Sequence, residues 1–154
     1  MGESKSFFHD YIRAGSPDTP MSELEKLGRS KSSRVRARVA ENPMTPVATL
    51  KLLATDSNVD VKIAVATNGS TPRSIVWQIA CGECVMTRLA LAEDPSTPAC
   101  VLEKLSCDEN PYVAFEAGKT LQVINRDKSS AIHVPAFISD NVREFKGQLS
   151  TKVS

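Results

Sequence analysis

The residues of this chain best equipped for chemistry are four cysteines: Cys81 and Cys84 in a Cys-x-x-Cys pair, then Cys100 and Cys107. Thiolates at that spacing form half of a zinc-ribbon ligand set, and a thiol at the start of a helix gains nucleophilicity because the helix N-terminus lowers its pKa. Cys84 is the one cysteine read at such a start. Against them stand only two histidines, His9 and His133, and one tryptophan. The chain has no Gly-rich phosphate loop, no His–Glu pair at metal spacing and no nucleophile with an identifiable base. It therefore reads as a non-enzyme with no cofactor. A second cluster is basic: Lys26, Arg29, Lys31, Arg34, Arg36 and Arg38 fall within thirteen residues that contain no acid. Such a stripe can follow phosphates or attract an acidic protein. The whole chain, however, balances 19 Lys and Arg against 18 Asp and Glu, so no global pull toward nucleic acid or lipid is expected.

The elements that position these residues follow from an internal period. Thr-Pro recurs at Thr19-Pro20, Thr45-Pro46, Thr71-Pro72 and Thr97-Pro98, each 26 residues after the last. With Thr as position 1, position 6 reads Leu24, Leu50, Val76, Leu102 and position 9 reads Leu27, Leu53, Ile79, Leu105. Position 10 is small throughout: Gly28, Ala54, Ala80, Ser106. Position 17 reads Val35, Val61, Thr87, Val113; position 21 reads Val39, Val65, Leu91, Ala117; position 22 reads Ala40, Ala66, Ala92, Gly118. A period between 20 and 50 residues marks stacked units that cannot bury their apolar faces alone.

Each unit reads as two short helices. Thr at position 1 is expected to be the N-cap and Pro at position 2 the first helical residue. Positions 6, 9 and 10 then make one helical face. Ser32, Asn58 and Asn110 at position 14 offer a second N-cap, replaced in unit three by Cys84, and Pro43, Gly69 and Pro95 end the second helix. The expected fold class is all-α: four repeats, 19–44, 45–70, 71–96 and 97–122, forming a right-handed α-solenoid with short capping helices. Phe7, Phe8, Tyr11 and Ile12 give an N-terminal capping helix within 1–18. Residues 123–154 read as a polar loop, about 125–130, followed by an amphipathic helix carrying Ile138, Val142, Phe145 and Leu149 behind a cap at Ser139 or Asp140.

On these residues the chain resembles the leucine-rich repeat variant proteins of bacteria. Their units run Asn-Pro-x-Thr-Pro, a Leu-x-x-Leu helix, Asp, then Val-Arg-x-x-Val-Ala. Asn42-Pro43-Met44-Thr45-Pro46 through Val61-Lys62-Ile63-Ala64-Val65-Ala66 fits that pattern, as does Asp94-Pro95-Ser96-Thr97-Pro98. The resemblance covers about 19–122. It implies a right-handed superhelix of paired short helices akin to HEAT repeats, with 3₁₀ geometry available to one helix of each pair. It implies no common activity. Unit three lacks the Asp at position 12 (Gly82) and unit four lacks the Arg (Ala114). Founding members hold an iron–sulfur cluster on cysteines ahead of the repeats; here the thiols lie inside the units, so that assignment does not carry over.

The register also sorts the candidate sites. Cys81 and Cys107 are one unit apart, about 10 Å in packed helices, whereas zinc needs each sulfur within about 2.3 Å; the cysteines are read as free thiols and no metal is assigned. Position 18 reads Arg36, Lys62, Arg88, either a binding stripe or a ladder pairing with Asp56 and Asp108. Arg29, Lys31, Arg34 and Arg38 are shared by no other unit and remain binding candidates. Position 7 reads Glu25, Lys51, Trp77, Glu103 and position 16 reads Arg34, Asp60, Met86, Tyr112, so Trp77, Met86 and Tyr112 stand in charged columns, as interface residues do. The C-terminal 137–149 segment is the competing cover for Trp77. With no apolar run near the ~18 residues of a membrane span and no disulfide framework, the expectation is a cytoplasmic protein-binding module. Nucleic-acid binding through the basic stripe and metal or redox sensing through the cysteines are the alternatives.

Overall fold

A computed structural model of the chain describes residues 2–131, with side chains over 6–126. The described chain is all-α. Its helices are α1 (Gly2–Gly15), α2 (Met21–Leu27), α3 (Ser33–Glu41), α4 (Val47–Leu53), α5 (Val59–Thr67), α6 (Arg73–Ala80), α7 (Val85–Glu93), α8 (Ala99–Leu105) and α9 (Pro111–Ala131). Both helices of every pair are α, so the 3₁₀ option is not taken. No described helix is long and apolar enough to cross a membrane. The chain divides into two compact units, Met1–Gln122 and Val123–Ser154. Of the second, only the end of α9 is described. The stretch expected as a loop at 125–130 is helical, because nothing between Gly118 and Pro135 can stop a helix once it has started. The amphipathic C-terminal helix expected around Ile138–Leu149, and with it the proposed cover for Trp77, lies outside the described residues.

In the first unit α3 packs against α1 and α5, and α5 against α3 and α7, so α3 and α5 are each flanked by helices of their own row. Leu24, Leu50, Val76 and Leu102 are all buried, as are Val35, Val61, Thr87 and Val113, and Val39, Val65, Leu91 and Ala117. The period reaches further back than the Thr-Pro signal. Ala14 stands 26 residues before Ala40 and is just as fully buried, so α1 occupies the place of a second helix. Small residues at position 10 reflect close approach: a Cβ on Gly28 would meet the Thr49 methyl at 2.8 Å.

The Thr-Pro turn works differently from the sequence expectation. The N-cap is the proline, at φ near −58° and ψ near 145° in α2, and no side chain caps the helix. The buried threonine instead donates its hydroxyl backward to a carbonyl six residues earlier: Thr19 to Arg13 (2.5 Å), Thr45 to Val39 (2.6 Å) and Thr71 to Val65 (2.7 Å). These carbonyls also keep a backbone donor, Val39 from the Asn42 N–H at 3.0 Å and Val65 from the Asn68 N–H at 3.3 Å, so the hydroxyl is a second bond on the last turn of the preceding helix.

Position 24 supplies a second tie. The amide of Asn42 donates to the carbonyls of Ala14 and Ser16 at 2.9 Å each, and that of Asn68 to Ala40 (2.6 Å) and Asn42 (3.1 Å). In the fourth block the Thr120 hydroxyl reaches Ala92 at 2.7 Å over the same 28 residues. Block three is the exception. It carries Asp94, whose carboxylate accepts from the Ser96 N–H but has no proton for the carbonyls of Ala66 and Asn68. Beside it the buried Thr97 hydroxyl has no partner. Asp94→Asn is therefore expected to restore two bonds and raise stability by about 1–2 kcal/mol, read as an upward shift of the thermal midpoint; an unchanged or lower midpoint would show that the amide does not reach.

Candidate functional site

The position-18 arginines are internal braces. Arg36 makes a two-pronged pair with Asp56 (Nε to Oδ2 2.7 Å, Nη2 to Oδ1 3.0 Å) and donates through Nη1 to the Ser30 carbonyl at 2.8 Å. Arg88 repeats this with Asp108 (2.8 and 3.2 Å) and the Gly82 carbonyl (2.8 Å), and its side chain and that of Asp108 are 6% and 5% exposed. Planar guanidinium suits this bidentate grip. Each aspartate also accepts the N–H of the position-14 asparagine two residues on, Asn58 or Asn110, at 2.9 Å. The Arg36 bond holds the Asp56 carboxyl below its ordinary range. Burial pushes Asp108 upward, but the Asn110 N–H and Arg88 outweigh it and the net shift is down. Arg36 and Arg88 are thus corrected from binding candidates to struts: neither offers a free charge to a partner.

Between blocks two and three every member of this polar triad is replaced. Lys62 stands for the arginine, Gly82 for the aspartate and Cys84 for the asparagine. Lys62 is half-buried and makes no ion pair within 4 Å among the described residues, and a cavity of about 190 Å³ remains, lined by Lys62, Gly82, Cys84 and Thr87 together with the carboxylates of Asp56 and Glu83. Lys62, unlike Arg36 and Arg88, is not braced by an aspartate and lines this cavity. The Cys84 thiol is pulled below its ordinary range, first by the Thr87 N–H; burial opposes this, while the Thr87 hydroxyl, the Met86 N–H and Lys62 add to it. Alkylation of Cys84, followed by peptide mass spectrometry across pH, is expected to have its midpoint below the ordinary thiol value of about 8.5. Lys62→Met should raise that midpoint, and a midpoint at or above the ordinary value would refute the assignment. Cys81, Cys100 and Cys107 are exposed free thiols. Among the described residues no three His, Cys, Asp or Glu side chains gather as a metal site.

The remaining basic candidates lie around α3. Arg29, Lys31 and Arg34 are exposed and meet no acid among the described residues. Arg38 bonds Glu41 at 2.8 Å and lies 5.7 Å from the centre of the Tyr11 ring.

The apolar candidates separate onto two rows of helices. Trp77, 43% exposed, is on α6, a first helix. Met86 and Tyr112 are on second helices, α7 and α9, and are 58% and 76% exposed. Extending the register to α1 places Phe8 in their column: Phe8, Arg34, Asp60, Met86, Tyr112. The column three residues further on reads Tyr11, Ala37, Ile63, Leu89, Phe115. Phe8, Tyr11 and Phe115 are exposed; all three belong with the candidates, and Phe115 was readable only as the neighbour of Tyr112 one helical turn on. The face of the second helices is therefore aromatic at both ends, with cations beside the first. Comparison with known proteins finds no family model, curated relative or solved structure that matches this chain.

Proposed function

We propose that this chain is a non-enzymatic protein-binding module of the cytoplasm: a short right-handed α-solenoid, related in pattern to leucine-rich repeat variant proteins, that recognises a partner along the outer face of its second helices. The observation that carries the reading is the exposure of Phe8, Tyr11, Met86, Tyr112 and Phe115 in two adjacent columns of one register. Aromatic and methionine side chains are the types that anchor interfaces, and solenoids present extended surfaces rather than enclosed pockets. Trp77 on the first-helix row is a second, separate anchor. Nucleic acid is the lesser reading, since Arg29, Lys31 and Arg34 stand in a chain of net charge +1.

The test is quantitative affinity capture from the native host with the full chain and a Tyr112→Ser/Phe115→Ser variant. These side chains bury little within the fold, so the variant should keep its helical circular dichroism and melting point. It should lose partner recovery by about tenfold or more, the scale of a lost hot spot. A folded variant that captures its partner as well as the parent chain would sink the proposal.

A further inference from the structure

The groove between α1 and α3 has a volume of about 450 Å³ and is lined by Phe7, Phe8, Tyr11, Arg34, Ala37, Arg38 and Glu41, the last two paired with each other at 2.8 Å. Its aromatic wall is pre-assembled: the Phe7 ring lies 5.5 Å from Phe8 and 6.1 Å from Tyr11. Phe8 and Ile12 remain largely exposed, so α1 buries Ala14 against the fold and leaves an aromatic surface uncovered.

The charge beside it has no internal explanation. The first turn of α3 contains no acid, and Ser32 makes no side-chain cap. Cations there oppose the helix dipole. Arg36 is accounted for by Asp56, and Arg38 by Glu41. Arg34 and Lys31 are accounted for by nothing. At the position of Arg34 the later blocks carry Asp60, Met86 and Tyr112, and Asp60, in the first turn of α5, has the sign that the dipole favours.

We infer that this groove binds an acidic amphipathic helical segment of another protein, whose apolar side chain inserts among Phe7, Tyr11 and Ala37 while its carboxylates meet Arg34 in the groove and Lys31, which lies outside it on the far side of Phe7 with Asp10. The mode is a helix laid in a groove, anchored at i and i+4. The cations set its sign and speed its encounter. This rests on the protein-binding reading and adds the chemistry of the partner and its place at the basic end.

The probe is a labelled peptide of about fifteen residues with Leu or Phe at i, i+4 and Glu elsewhere on the helix, titrated into the full chain by fluorescence anisotropy. It should bind, weaken several-fold between 50 and 500 mM salt, and bind Arg34→Glu at least tenfold more weakly, while Arg34→Lys keeps most of the affinity. Tyr11→Ala should also weaken it; since that change can loosen α1, the exposed Arg34 pair decides. Equal affinity for a Lys-substituted peptide or a scramble without the i, i+4 spacing would overturn the inference. So would displacement of the peptide by a single-stranded oligonucleotide at lower concentration, or a concentration-dependent dimer that Arg34→Glu abolishes. Loss of peptide binding in every form, with host capture still dependent on Tyr112 and Phe115, overturns this inference and leaves the binding module standing. Failure of both overturns both.

Discussion

Replacing Asp108 by alanine is expected to destabilise the fold by about 3–5 kcal/mol, the usual consequence of leaving one half of a buried ion pair uncompensated. Arg88 donates to Asp108 through two nitrogens, and its third short bond goes to the Gly82 carbonyl. With the carboxylate gone the guanidinium stays enclosed, and exposed Glu109, at 3.4 Å, is a poor substitute. Urea denaturation measures the loss. The companion Arg88→Met/Asp108→Leu should recover most of it, because apolar replacement of both partners removes the orphaned charge. Acid should mimic the single variant. Asp56 and Asp108 both titrate below their ordinary value in the folded chain, so their contribution is present above the unfolded carboxylate pKa of about 3.9 and is lost as pH falls through the lower folded values. The parent chain should therefore lose stability below about pH 4, and Asp108→Ala should show a shallower fall.

The second large effect is expected in the core. Leu50 is fully buried on α4, whereas Leu52 on the same helix is 43% exposed. Leu50→Ala should cost about 2–5 kcal/mol through lost transfer energy and the cavity left behind, and Leu52→Ala within about 0.5 kcal/mol. Thermal melts of the two variants compare them directly. Similar losses at both positions would mean that α4 does not present the face that the 26-residue register assigns to it.

How much of this was legible in the residues themselves depended on the kind of information required. Positions 6, 17 and 21 could be read because burial is a property of a column, and Leu24, Leu50, Val76 and Leu102 share one. Hydrogen-bond direction could not. A threonine before proline is a good N-cap by type, yet its hydroxyl goes back to a carbonyl in the last turn of the preceding helix, a fact about that helix and not its own. Asn42 and Asn68 were visible as part of a motif, but their task became clear only with the carbonyls of the neighbouring block beside them. Arg36 and Arg88 show the same limit for charge: residue type allows both a strut and a binding stripe, and only the two-pronged geometry with Asp56 and Asp108 decides. The polar run at 125–130 was read as a loop on composition, although a long helix needs a stop signal more than an apolar face to end it. Phe115 escaped notice because its column, Ala37, Ile63, Leu89 and Phe115 in the four blocks, is apolar throughout and reads as core.

The blocks' shared build is tested most directly by nuclear Overhauser contacts of side-chain protons in isotope-labelled protein. Stacked blocks require the Asn68 amide protons to lie against the backbone of Ala40–Asn42, the Asn42 amide against Ala14–Ser16, and the Arg88 Hε beside the Asp108 methylene, with no counterpart of the asparagine contacts at Asp94. Helices that show contacts only within their own pair, with nothing linking residues 20 to 28 apart, would contradict a chain of stacked, equivalent blocks.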